Sequence, residues 1–272
     1  MITKDFFEQV IPSFASPTED LFQRMQMFFC VAEDELKAKV GNYWDTAMEN
    51  ETVKDVAQRA VCLMAAYAAI PHLDLVLTDT GFGVVSNPNV APASAHRVEA
   101  LKEAIRQQKS TTRDLFFTHL LDLTEWGNTG EAAELVQNLV WSPSVARQLG
   151  LSMDGHHLIF DEEYQQLLPQ ILVAEAELQN LISPELYKKL LDLFIKRDKP
   201  TIPYLNVWQK ARAFIAAKFN GDGMATVLMV HLLNQLNAYA DSLPEYRNSA
   251  TYRAHHNEPY KNKKEDGCFF FG

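Results

Sequence analysis

Asp79-Thr80-Gly81 is the triplet that aspartic proteases use, and like theirs it follows an apolar run, Leu75-Val76-Leu77. That chemistry requires two carboxylates sharing one proton, one from each lobe or subunit of an almost wholly β body. The sequence has no second copy, and Phe82 stands where those enzymes place a small residue. The triplet therefore reads as a hairpin tip, where Asp and Gly suit a tight turn. A second cluster is His156-His157 with Asp154, Asp161 and Glu162 nearby. It could ligate a divalent metal, but adjacent histidines on a loop point in different directions and no third ligand lies at close spacing. Solvated loop histidines are the reading preferred, for this pair and for His255-His256. His231, among Val230, Leu232 and Leu233, reads as a core or interface histidine.

Other chemistries lack their residues. Gly81-Phe82-Gly83 has neither the third glycine nor the following helix of a dinucleotide fingerprint. No phosphate-binding loop, HExxH zinc motif or GxSxG elbow occurs. A di-iron bundle needs Glu three residues before a helical His, and Phe116 and Leu228 occupy those positions before His119 and His231. No catalytic, cofactor or metal residue is expected. The residues with an evident use are for contact. Tyr246, Arg247, Tyr252, Arg253, Tyr260, Lys261, Lys263 and Lys264 interleave aromatics with bases, a pattern that can stack on bases and touch phosphates. Glu245, Glu258, Glu265 and Asp266 nearly cancel that charge, which favours a protein neighbour. Phe269, Phe270 and Phe271 left in water would promote aggregation, so they should be buried on this chain or on another subunit.

The elements that must carry these residues are mostly helical. Apolar residues recur every three or four positions from Leu21 to about Val40, after a capping box at Ser16-Pro17 with Glu19. A second helix runs from Thr52 to Ile70 and should end at Pro71. Two β-prone runs in 73–86 form a hairpin, and 87–93 a proline-rich loop. Ser94 starts a helix to Gln108, resuming after a break from Thr112 to Leu123. Residues 131–141 and a short piece from Ser142-Pro143 are expected as helices, with a turn at Met153-Asp154-Gly155. Helices follow over 162–181, 184–194, 203–219 and 224–241. The domain expectation is an N-terminal helical domain 1–125, a linker 126–158 with short helices, a C-terminal helical domain 159–243 and an extended tail 244–272.

Composition sets bounds. Of 272 residues, 47% are hydrophobic and 22% charged, as in an ordinary globular protein. No apolar run reaches the roughly 18 residues of a membrane span, and no secretion signal is expected from Met1-Ile2-Thr3-Lys4-Asp5-Phe6. A net charge of -10 offers no general basic surface for nucleic acid. It suits a wall past which DNA slides. Cys30, Cys62 and Cys268 have no CxxC spacing, so neither a disulfide framework nor a cysteine zinc site is expected.

Two halves look alike. Val31-Ala32-Glu33-Asp34-Glu35-Leu36 nearly repeats as Val173-Ala174-Glu175-Ala176-Glu177-Leu178, and Val56-Ala57-Gln58-Arg59-Ala60 parallels Val207-Trp208-Gln209-Lys210-Ala211. The order agrees, so an internal duplication is expected, with the hairpin inserted in the first half.

The block Leu73-Asp74-Leu75-Val76-Leu77-Thr78-Asp79-Thr80-Gly81-Phe82-Gly83-Val84-Val85-Ser86, continuing through Pro88 and Pro92 to Ser94 and a helix with Arg97, resembles an uncharacterised family of phages and prophages of Bacteroides-type bacteria. The resemblance implies a virion structural role. Head-tail connectors are similar in architecture, with packed helices, a projecting hairpin and an extended arm. The fold class expected is mainly α: two similar helical bundles, a β-hairpin in the first and an extended C-terminal arm. The expected function is a non-enzymatic head-tail connector or head-completion adaptor, in the host cytoplasm during assembly and then in the virion. Its partners would be further copies of itself and portal or tail proteins, with DNA only as the passing genome and no membrane. Contact residues would be Leu75, Leu77, Thr80, Phe82 and Val84 of the hairpin, and Tyr252, Arg253, Tyr260, Phe269, Phe270 and Phe271 of the tail. The alternatives are a metal-dependent helical enzyme using residues 154–163 and a DNA-packaging accessory protein.

Overall fold

Eleven buried residues make one helix, α4 (Glu51–Leu73), the spine of the first half of the chain. Asn50 caps it, its side chain accepting from the Thr52 and Val53 N–H groups at 3.1 and 3.2 Å. Its alanines at 57, 60, 65, 66 and 69 are buried and let neighbouring helices approach closely. α4 passes Pro71 and ends two residues later, because the residues after a proline can still donate to the preceding turn. By length and composition it could cross a membrane, contrary to the expectation that no such stretch exists. More than half of that apolar window is buried within the protein, as in a core helix.

The computed structural model describes residues 2–15, 20–73, 75–78, 81–84, 94–151 and 159–256, with 75–78 and 81–84 described by backbone alone. The capping box at Ser16, the tip Asp79-Thr80, the loop 87–93, the turn 153–155, His156-His157 and the tail beyond His256 lie outside these residues. The fold is mainly α. The chain forms two compact units, one of residues 1–167 with 195–197, the other of 168–194 with 198–272.

In the first unit α4 packs against α2 (Asp20–Val40) and α5 (Ala95–Leu121), with α1 (Lys4–Val10) beside it. Phe7 joins Phe14, Phe22 and Phe29 in an aromatic cluster with centroids 5.2 to 6.3 Å apart. Between α4 and α5, strands β1 (Leu75–Thr78) and β2 (Gly81–Val84) pair antiparallel, Leu77 opposite Phe82. α5 is one continuous helix with no break after Gln108. Ser110 is fully buried there, and its hydroxyl donates to Asp161 at 3.2 Å, so a tertiary partner overrides the weak helix propensity of Ser110-Thr111-Thr112.

The expected linker is instead part of this unit's core. It holds the end of α6 (Thr124–Gly127), then α7 (Gly130–Leu135) and α8 (Pro143–Gln148), while α3 (Trp44–Ala47) comes earlier, between α2 and α4. Trp126 is fully buried and its indole N–H donates to the Val40 carbonyl. Gly127 is required: a Cβ there would fall 2.7 Å from the Ile195 carbonyl oxygen. α7 stops at Leu135 rather than reaching Trp141. Leu139, Val140 and Trp141 are all buried and lie outside any regular helix. Irregular chain buries them together. The Tyr164 hydroxyl donates to the Val140 carbonyl at 2.6 Å and secures that segment.

The unit boundary falls inside α9 (Asp161–Ile182), not at 159. The second unit contains the rest of α9, α10 (Pro184–Ile195) up to Phe194, α11 (Ile202–Phe219) and α12 (Met224–Ala238). Ile171, Leu178, Leu190, Phe214, Ile215, Leu232 and Leu236 are buried. Ser183, at a φ of 84°, turns the chain between α9 and α10 and accepts from the Leu186 N–H. Residues from 244 do not begin an extended arm. α13 (Pro244–Arg247) and α14 (Ala250–His255) are helical, with Pro at the first position of α13 and Ser249 capping α14. Leu243 and Tyr246 are fully buried, and that apolar pair holds the segment to the unit.

Candidate functional site

The acids expected near a metal sit at the start of α9, where the helix dipole already favours negative charge. Cations from α5 fill that position. Asp161 lies 2.6 Å from Arg113 and 3.4 Å from Lys109. Glu162 lies 3.8 Å from both Lys109 and Arg106, and Glu163 pairs with Arg106. Arg106 also stacks over Phe160, 4.6 Å from its ring centre. Burial works to raise the Glu163 carboxyl, but hydrogen bonds from its own backbone, Arg106 and the Phe160 N–H outweigh it and leave it below the ordinary value. Three cations would have to be displaced before a metal could use these oxygens. Among the described residues no group of three or more metal-binding side chains occurs.

The other buried carboxylates have structural partners as well. Asp114 accepts the Ser144 N–H at the start of α8, 2.8 Å away. Burial raises its carboxyl above the ordinary range, and the Ser144 hydrogen bonds only partly offset that. Glu175, 1% exposed, accepts the Tyr187 hydroxyl proton. Tyr204 donates to Glu245 at 2.6 Å, and burial first, then that carboxylate, pushes the phenol upward. Cys62 is buried and its thiol is pushed up to about 12, whereas Cys30 is exposed.

The contact residues expected from sequence divide into three groups. Leu75, Leu77, Phe82 and Val84 lie on the paired strands, described by backbone only. Tyr252 and Arg253 lie on α14, where Tyr252 is half-buried, stacked on His256 at 4.0 Å and covered by Arg247 at 4.4 Å. Thr80, Tyr260, Phe269, Phe270 and Phe271 lie outside the described residues, as do Asp154, His156 and His157. His231 is exposed on α12, which excludes the core alternative for it. Sequence reasoning missed the apolar surface of the second unit. Met224, Val227 and Val230 of α12 are 51, 43 and 48% exposed, and Val173 of α9 is 62% exposed. The available signal was the run Met224–Val230, which has no charged residue on any face.

Residues 19–123, less than half of the chain, match a family of unknown function (DUF6712); the match runs from the start of α2 through β1 and β2 to the end of α5. No curated protein and no solved structure matches the chain.

Proposed function

We propose that this chain is a non-enzymatic structural protein of a phage particle, a head-tail connector or head-completion adaptor. It assembles with further copies of itself and with portal or tail proteins, first in the host cytoplasm and then in the virion. The observation that carries this reading is the two-stranded ladder between α4 and α5. Among the described residues it is the whole sheet, so both outer strand edges lack a ladder partner. A two-stranded ladder is marginal in water, and an added strand from a neighbour would complete it. The engaged carboxylates at Asp114, Asp161 and Glu175 support the non-enzymatic part, because each already has a structural role. A net charge of -10 suits a surface that lets genome pass.

The duplicated halves belong to the same reading, with 31–36 and 173–178 as equivalent turns of two related bundles. Two measurements test the proposal. Mass spectrometry of purified virions should find the chain, and electron microscopy of the particle should place it between head and tail. Its absence from virions would end the proposal.

A further inference from the structure

The second unit carries apolar surface without a cover among the described residues. α12 opens Met224-Ala225-Thr226-Val227-Leu228-Met229-Val230, and none of these seven is buried; the first buried residue on the helix is Leu232. Met224, Val227 and Val230 recur at three-residue spacing along one face. At the same end of the α11–α12 hairpin, Pro169, Gln170, Val173, Ala174, Lys218 and Phe219 line a cleft of about 380 Å³. A turn closed by Asp222 N–H to Ala217 O at 2.9 Å and Ala225 N–H to Asp222 O at 3.0 Å joins Phe219 to Met224. The cleft wall and the start of the bare helix face therefore lie together.

We propose that Cys268-Phe269-Phe270-Phe271 of the same chain occupies this cleft and the adjoining face of α12 in the free subunit. Reach allows it. α13 is tied to the first turn of α11 by Tyr204 and Glu245, and α11, at 18 residues, is about 27 Å long. Residues 257–268, extended, span about 40 Å. Size favours a short segment over a second folded copy. A stable dimer buries roughly 800 Å² per partner, far more than a few half-exposed side chains offer, whereas each phenylalanine buries about 150–250 Å². Charge agrees: Glu265 and Asp266, just before the aromatic run, match Lys218 on the cleft wall, where Glu177 is its present partner at 2.8 Å. The tether also favours the chain's own segment, since short linkers hold a group at millimolar effective concentration.

Cys268 makes the test direct. In a Cys30→Ser background, Val227→Cys or Val173→Cys is introduced, the full chain is mildly oxidised, and the non-reduced protein is peptide-mapped. The expected result is a disulfide from position 227 or 173 to Cys268 within a single chain, because the bond requires Cα atoms within about 7 Å. Adding Phe269→Ser, Phe270→Ser and Phe271→Ser should lower its yield about tenfold or more. Glu99→Cys on α5 serves as the control for random encounter. The proposal is overturned if neither position links to Cys268, if the control links equally well, or if the bond forms only between two chains, which would make a second copy the occupant. The readout concerns the free subunit alone and does not depend on the virion role.

Discussion

Val31–Leu36 on α2 and Val173–Leu178 on α9 share five of six residues and the same helical phase. Val31 and Val173 are 64 and 62% exposed, while Ala32, Ala174, Leu36 and Leu178 are buried. Their glutamates have different fates. Glu33 is half-buried and pairs with Lys37 one turn on, at 3.0 Å in solvent. Glu175, at the matching position, is buried and takes its hydrogen bond from Tyr187 on the next helix. Local sequence sets which way a helix faces; the neighbouring helix decides whether a charge on its flank is a surface ornament or part of the core.

Substitutions can break or sharpen that contrast. The largest effect is expected at Tyr187→Phe, which removes the Tyr187 hydroxyl donor from a buried carboxylate and should cost about 2–3 kcal/mol, read as a lowered urea midpoint at constant m. Converting both partners, Glu175→Met with Tyr187→Phe, should recover most of that loss. Asp161→Ala comes next. It leaves Lys109, Arg113 and Ser110 without their shared acceptor and should cost about 1–2 kcal/mol, with faster amide exchange around Ser110.

Asp114 gives a pH effect of definite sign. Its folded value lies above the ordinary 3.8, so the folded state holds the proton more tightly. Its contribution is fully present below 3.8 and is lost as pH rises through the raised folded value. Asp114→Asn keeps an acceptor for Ser144, so its stability relative to wild type should improve as pH rises from about 3 to 7 in denaturant melts. A constant difference across that range would remove the titration argument. The smallest effect belongs to Glu33→Gln, under about 0.5 kcal/mol and weaker still in high salt. Should it match Tyr187→Phe, the contrast between the two glutamates would fail.

Long periodic stretches were legible. α2, α4, α9, α10, α11 and α12 follow from apolar residues at three- and four-residue spacing. Residues 126–160 were not, because short helices and turns look alike in sequence whether they are exposed or, like Trp126 and Val140, fully buried. The same holds after Pro244, where a mixed polar pattern concealed Leu243 and Tyr246 as anchors. At the candidate site, sequence marked Asp161 and Glu162 as acids of interest. Their partners on α5 lie some fifty residues earlier in the chain, a separation no local pattern spans.

By itself the sequence determined the mainly helical class and the inward face of each long helix, since both depend on spacing within a turn or two. Tertiary structure alone decided that α5 runs unbroken past Ser110, that a supposed linker is core, and that the acids opening α9 are held by arginine and lysine. Those outcomes rest on contacts between residues distant in the chain. There, the cost of burying a polar group is offset only by the partner that the fold brings to it.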